Sequence, residues 1–190
     1  MTDKQPDKND RAHALREALR GVRRRYDQLD RGETAPLRRC RTASAVVLEG
    51  AYWRIGERLS HEQVHLPHVV LLFPVAPHVT RERFSFGLYL RNQVGDNHGA
   101  VLRFRRLLAS RDRDELDHRL RGILRLAARD KAPVDWGALG TDILWFFAES
   151  DNVRRRWAQG FYAPSTHERS RDMSAPAPLP TPTADSAYRP

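Results

Sequence analysis

Cys40 is the only cysteine in the chain. That excludes an intrachain disulfide and a thiolate zinc cluster, and it suits a reducing, cytoplasmic setting. Long apolar runs are missing too. The longest, VVLLFPVAP, is interrupted by proline and falls far short of the roughly 20 residues that span a bilayer. The amino end, MTDKQPDKND, has no apolar core of a secretory signal. No G-x-S-x-G elbow, Walker A loop or G-x-G-x-x-G fingerprint occurs, so nucleophile and nucleotide signatures are absent. Aromatic residues make up 8% of the chain and fall mainly at positions a core would claim, which argues against a base-stacking platform of the OB or RRM type.

What the chain does have is positive charge. The formal net charge is +9 and the isoelectric point is near 10.5, with arginine supplying almost all of it. The planar fork of arginine fits phosphate better than the point charge of lysine does, so the balance points first to nucleic acid or another anionic surface. A length of 190 residues suits one domain with a sizeable core. Residues 1–9 are polar. The stretch 163–190, ending APAPLPTPTADSAYRP, is dense in Pro, Ser, Thr and Ala and is expected to be disordered. The folded domain is therefore expected over residues 10–162.

Between those ends the apolar periodicity is helical, and strand alternation is scarce. A first helix is expected from Asp10 to Leu29, with Leu15, Leu19, Val22, Tyr26 and Leu29 on its buried face and Arg16, Arg20 and Arg24 opposite. Pro36 is placed to open a short basic turn, PLRRCR. SAVVLEGAYWRIGERL reads as one helix carrying Leu48, Tyr52 and Ile55 on one side. GAVLRFRRLLAS buries Val101, Phe104, Leu107 and Leu108 and turns Arg103 and Arg106 outward. Asp112 with Glu115 three residues later resembles a capping box. It opens a helix with Leu116, Leu120, Ile123 and Ala127 inward and Arg121 and Arg125 outward. VDWGALGTDILWFFA is apolar nearly all round, as a central helix should be. Asp151 can cap a last helix with Val153, Trp157 and Phe161 inward. The expected fold is all-α: a compact helical bundle of about seven helices with disordered termini.

One short motif points elsewhere. His61-Glu62-x-x-His65 has the H-E-x-x-H spacing by which zinc peptidases hold the metal and place a general base. Chance supplies only about 0.02 such matches in a chain of this composition. The surroundings decide against it. A zincin carries both histidines inside one uninterrupted helix, whereas Pro67 follows His65 by two residues and clashes with the carbonyl four positions back. The extended pattern asks for Gly and His where the chain has His68 and Leu71. A polar turn leading into an apolar helix is the better description, and no catalytic residue, metal or cofactor is expected. Cys40 sits between Arg39 and Arg41, whose charge can lower its pKa, though a small packed residue is the commoner role. The carboxylates of RDRDELDHR are expected to pair with neighbouring arginines at helical spacing.

The arginines cluster: Arg38, Arg39 and Arg41; Arg103 and Arg106; Arg121 and Arg125; Arg154 to Arg156. Any one cluster is ordinarily solvated surface, but their recurrence within one small domain favours backbone binding without sequence readout. The order of PLRRCR, AYWRI, FGLYL, RFRRLLASRDRDELDHRLRGILRL, VDWGALGTDILWFF and VRRRWAQGFY, from about Gly32 to Tyr162, resembles the small subunit of type I-E CRISPR Cascade complexes, the CasB family. The resemblance implies a non-enzymatic helical subunit in antiviral defence that sits beside a second copy of itself, bridges backbone subunits and lines a basic path. That path would meet the CRISPR RNA, the target DNA and the displaced strand. Arg38 and Arg39 match the family's basic pair, Arg103 the arginine opening the later basic helix, and Arg113 the one in its Asp-Arg corner. The candidate nucleic-acid-binding set is thus Arg38, Arg39, Arg41, Arg103, Arg106, Arg113, Arg121 and Arg125. Leu88 departs from the family's basic residue after the glycine of FGLYL, with Arg91 standing a turn later, and 61–84 matches poorly. The alternatives from other classes are the metallopeptidase and a free-standing helical nucleic-acid-binding protein.

Overall fold

The first helix, α1 (Lys8–Asp27), buries Leu15, Leu19, Val22 and Tyr26 as their spacing predicts. It stops two residues short of Leu29, which is half-buried beyond its end. In the computed structural model, residues 8–56, 64–81, 84–95, 97–127, 132–148 and 152–163 are described. The reading of 1–9 and 163–190 as disordered ends therefore falls almost wholly outside them, as do His61, Glu62 and the cap expected at Asp151.

The chain continues through α2 (Arg31–Arg39), α3 (Ala43–Val47), α4 (Gly50–Gly56), α5 (Leu66–Val70), a 3-10 turn at Phe73–Val75, α6 (Phe86–Val94), α7 (His98–Leu108), α8 (Arg113–Ala127), α9 (Trp136–Trp145) and α10 (Asn152–Tyr162). The all-α class stands, and no strand occurs among the described residues. An isolated bridge between His78 and Val134 is the nearest approach to one.

Among the described residues there are ten α-helices, near the expected count of about seven, and the reasons for the difference are local. Pro36 does not open α2. A capping box does so five residues earlier: the Asp30 carboxylate accepts from Glu33 N at 2.8 Å, and the Glu33 carboxylate accepts from Asp30 N at 3.2 Å. Pro36 then removes only the bond to Gly32, in the exposed first turn. The single helix expected over 44–59 is two. Thr42 caps α3, which ends at Val47, and α4 starts afresh at Gly50. The break turns Leu48 out, 85% exposed, while Tyr52 and Ile55 stay buried. α5 opens with Pro67 in its first turn and leaves His65 outside the helix.

α9 is the axis of the core. Every residue from Trp136 to Ile143 is buried, and it packs against α1 and α5. Asp135 caps it, accepting from Gly137 N at 3.0 Å and Ala138 N at 3.1 Å. The same carboxylate accepts from Arg20 Nη2 at 2.6 Å and from Arg81 N at 2.8 Å. Helical spacing assigns Arg20 to the solvent face of α1. Its side chain is instead almost covered, because an uncompensated carboxylate under α9 would otherwise be buried alone. One turn on, Arg23 is wholly inside the protein. It pairs with Asp27, donates to Phe73 O at 2.7 Å and Ala76 O at 3.1 Å, and lies over the rings of Tyr26, Phe73 and Trp136. A cation is tolerated there because hydrogen bonds and aromatic faces replace its water.

On the other side α6 crosses α10. Phe86 meets Trp157 in a tilted ring contact at 4.5 Å between centroids, and Trp157 meets Phe146 at 5.2 Å. The helices touch at Gly87. A methyl group there would collide with the carbonyl oxygen of Trp157 and lie 2.7 Å from Phe161 N.

Two outcomes follow. Gly87→Ala must push two backbones apart and is expected to destabilise by at least about 1–3 kcal/mol. Gly122→Ala, on the exposed face of α8 with nothing near the new methyl, should stabilise by roughly 0.5–1 kcal/mol. Thermal melting of both variants beside the parent checks the pair. Separately, burial alone would raise the Asp135 carboxyl, but bonds from Arg20, Arg81 N and Ala138 N hold it below the ordinary carboxylate range. A folded-state pKa below the unfolded one contributes stability that is complete above the ordinary range and is lost as pH falls through the folded value. Asp135→Asn should therefore flatten the acid limb of a stability–pH curve, besides lowering stability at neutral pH.

Candidate nucleic-acid interface

The end of α2 and the turn after it face α8 across a groove of about 750 Å³. Arg38 and Arg39 close α2, Arg41 follows the buried Cys40, and Arg121 and Arg125 come from the last two turns of α8. All five line this groove. Residues some 80 positions apart in sequence thus meet on one surface, and α8's outward register brings two arginines a turn apart to the same side.

The other three candidates lie elsewhere. Arg103 and Arg106 are exposed on α7 and do not line the groove. Arg113, in the first turn of α8, is partly buried. It donates to Ile143 O at 3.2 Å and Leu144 O at 3.1 Å, and lies over the Phe147 ring. Burial lowers its guanidinium from the ordinary value, with Asp117 opposing. Its position is that of a clasp on the last turn of α9.

Arg121 does both things. It lines the groove, and its Nη2 donates to Cys40 O at 3.0 Å and Leu71 O at 2.8 Å. The fourth cluster is also engaged in packing. Arg154 donates to Ser110 O at 3.1 Å and lies 4.9 Å over Phe146. Arg156 pairs with the buried Asp142, which also accepts from Trp157 Nε1 at 2.6 Å.

Two neighbouring groups bear on the groove: Cys40 has the packed role expected of it, and the carboxylates of RDRDELDHR pair as expected only in part. The flanking arginines are positioned to lower the Cys40 thiol, yet burial, then Glu49, push it up and outweigh Arg121 and Arg39. Sγ donates to Pro36 O at 3.4 Å, so Cys40 is a packed residue. In RDRDELDHR, Asp112 caps α8 through Glu115 N at 2.8 Å, and Glu115 pairs with Arg119. Asp117 does neither. It is buried and meets His68 on α5, Nδ1 to Oδ2 2.6 Å. Burial raises the Asp117 carboxyl, and His68 opposes. The sequence carried a signal for this that periodicity should have caught. Position 117 falls on the buried stripe of α8, three residues before Leu120 and seven before Leu124. Asp114 and His118 also face the groove.

Comparison with known proteins fixes what kind of chain this is. The family model for CRISPR-associated protein Cse2 matches residues 28–162. The chain belongs to the Cse2 family. It is thereby a CRISPR-associated protein, a Cascade subunit of the type I-E kind. Among solved structures it is similar in fold to CasB from Thermobifida fusca, at 19% identity and a TM-score of 0.56, over 80% of this chain and 97% of that one. No protein in a search of curated proteins matches. Among the described residues no helix is long and apolar enough to cross a membrane. The family match covers the groove and α7 alike and gives no preference between them.

The groove predicts a contrast between two of its own arginines. Arg121→Lys cannot reach both carbonyls and leaves a buried acceptor unsatisfied, which costs about 1–3 kcal/mol. Arg39→Ala, on the exposed end of α2, should stay within about 0.5 kcal/mol of the parent. Denaturant melts of the two variants test this.

Proposed function

We propose that the chain is a non-catalytic, cytoplasmic subunit of an RNA-guided surveillance complex, and that its groove holds a nucleic-acid backbone. The displaced DNA strand is the favoured occupant. Base pairing to the guide reads the sequence in such complexes, so a protein subunit needs only charge and shape. Exchange of a DNA duplex for a guide–target duplex is nearly balanced in energy. A few phosphate contacts to the displaced strand therefore suffice to keep the loop open.

One observation carries the reading. Arginines of α2, of the turn after it and of α8, far apart in sequence, converge on a single concave surface. Three of them, Arg38, Arg39 and Arg41, are exposed and lie beside Arg125, also exposed. Arg103 and Arg106, exposed on α7, offer a second basic surface suited to the CRISPR RNA or to a neighbouring subunit. Arg113 contributes through packing. In this reading the subunit bridges the backbone proteins of the complex and stands beside a second copy of itself.

The test uses the assembled complex. A groove triple, Arg38→Ala, Arg39→Ala and Arg125→Ala, spares Arg121, the groove arginine that clasps two carbonyls. It should shorten the lifetime of the open loop and reduce protection of the displaced strand, with guide–target pairing intact. The slope of log affinity against log salt should fall by about 0.7 for each single-strand phosphate that the variant no longer neutralises. Binding should be indifferent to base sequence. The pair Arg103→Ala and Arg106→Ala should leave the displaced strand as protected as before. Equal loop lifetimes and slopes for parent and groove triple would reduce the subunit to a protein bridge.

A further inference from the structure

The basic groove contains carboxylates that the nucleic-acid reading does not use. Asp114 and Asp117 stand one helical turn apart on α8, and His68 reaches them from α5. One donor atom from each of His68, Asp114 and Asp117 lies within 4.8 Å of the others. Asp114 and Asp117 both line the groove.

The arrangement leaves a specific group unserved. Asp117 is only 5% exposed, and its Oδ1 has no hydrogen-bond partner among the described residues, although Oδ2 meets His68 Nδ1 at 2.6 Å. A buried carboxylate oxygen without a donor is costly. The arginines on either side do not serve it. Arg113 donates to the carbonyls of Ile143 and Leu144, and Arg121 to those of Cys40 and Leu71. This carboxylate, with one oxygen unserved, belongs to the group in which a second carboxylate and an imidazole converge.

We propose that His68, Asp114 and Asp117 form a binding site for one divalent transition-metal ion of the zinc or manganese kind, opening onto the basic groove. One imidazole nitrogen with two carboxylates is a borderline donor set. It favours such ions over calcium or magnesium, which prefer oxygen alone. Three protein donors leave coordination positions for water or for an anion in the groove. Asp117 and His68 are anchored on packed helices, and Asp114 is exposed. The site shares no residue with His61-Glu62-x-x-His65 and needs no nucleic acid to form.

The test uses the full chain, stripped with chelator and dialysed. Zinc and manganese are titrated in separately, with bound metal counted by elemental analysis and affinity read by calorimetry. The expected result is one equivalent per chain and a rise in melting temperature with metal concentration, since an ion that binds only the folded state stabilises it. Asp114→Asn is the decisive variant because its exposed side chain is not needed for folding. It should weaken binding by roughly tenfold or more, the least that loss of a ligand costs when loss of a ligand's supporting partner already costs that much, and should abolish the metal-dependent rise in melting temperature. Asp117→Asn, which keeps the shape and a hydrogen bond to His68, should do the same while its far-ultraviolet spectrum stays helical. Cobalt in place of zinc should give visible bands that shift in both variants. Absence of a bound equivalent overturns the site. So does binding that survives Asp114→Asn but disappears in His65→Ala, which would place the metal on the His61–His65 segment.

Discussion

Ten helices among the described residues create a shortage of hydrogen-bond donors. Each helix leaves its last carbonyls without an internal partner, and several here are too short to bury those ends away from the turns that join them. Arginine side chains fill much of the deficit. Arg23 reaches Phe73 and Ala76, Arg25 reaches Ile55, Arg113 reaches Ile143 and Leu144, Arg121 reaches Cys40 and Leu71, and Arg154 reaches Ser110. A guanidinium on a long stem ties two carbonyls at once, through both terminal nitrogens in Arg113 and through one in Arg23 and Arg121. The architecture of many small helices depends on this.

The same fact explains what could and could not be read from the chain alone. Apolar spacing placed α1, α7, α8, α9 and α10 well, because long amphipathic stripes average over many residues. The short helices were merged or passed over. Leu48 fits a stripe with Tyr52 and Ile55 as arithmetic, but a five-residue helix capped by Thr42 ends just before it. The carboxylate of Asp30 that sets the true start of α2 lies outside the segment that Pro36 drew attention to. Nothing in a local window shows that Asp135 needs Arg20, since the partners are more than a hundred positions apart.

Charge was the least transparent property. Arginines opposite an apolar stripe look alike in sequence whether they meet water, phosphate or a carbonyl of the next helix. Arg38, Arg39, Arg41 and Arg125 are exposed as the helical registers imply, whereas Arg20, Arg113 and Arg121 are partly or largely covered. The candidate set therefore divides by depth, and the division is visible only once α2, α5 and α8 are assembled. Asp117 shows the converse. A charged residue on a buried stripe was a legible anomaly, and its partner His68 lay in the stretch that resembled the family least.

Arg121 has a mechanical consequence. Cys40 and Leu71 belong to separate segments bordering the groove, and one guanidinium on α8 holds a carbonyl from each. The spacing between those segments is then set by the length of a single side chain, like the jaw of a caliper. Sequence drift elsewhere in α2 or after α5 can change what lines the groove without changing its gauge. A change at position 121 alters the gauge even when every surface charge is kept.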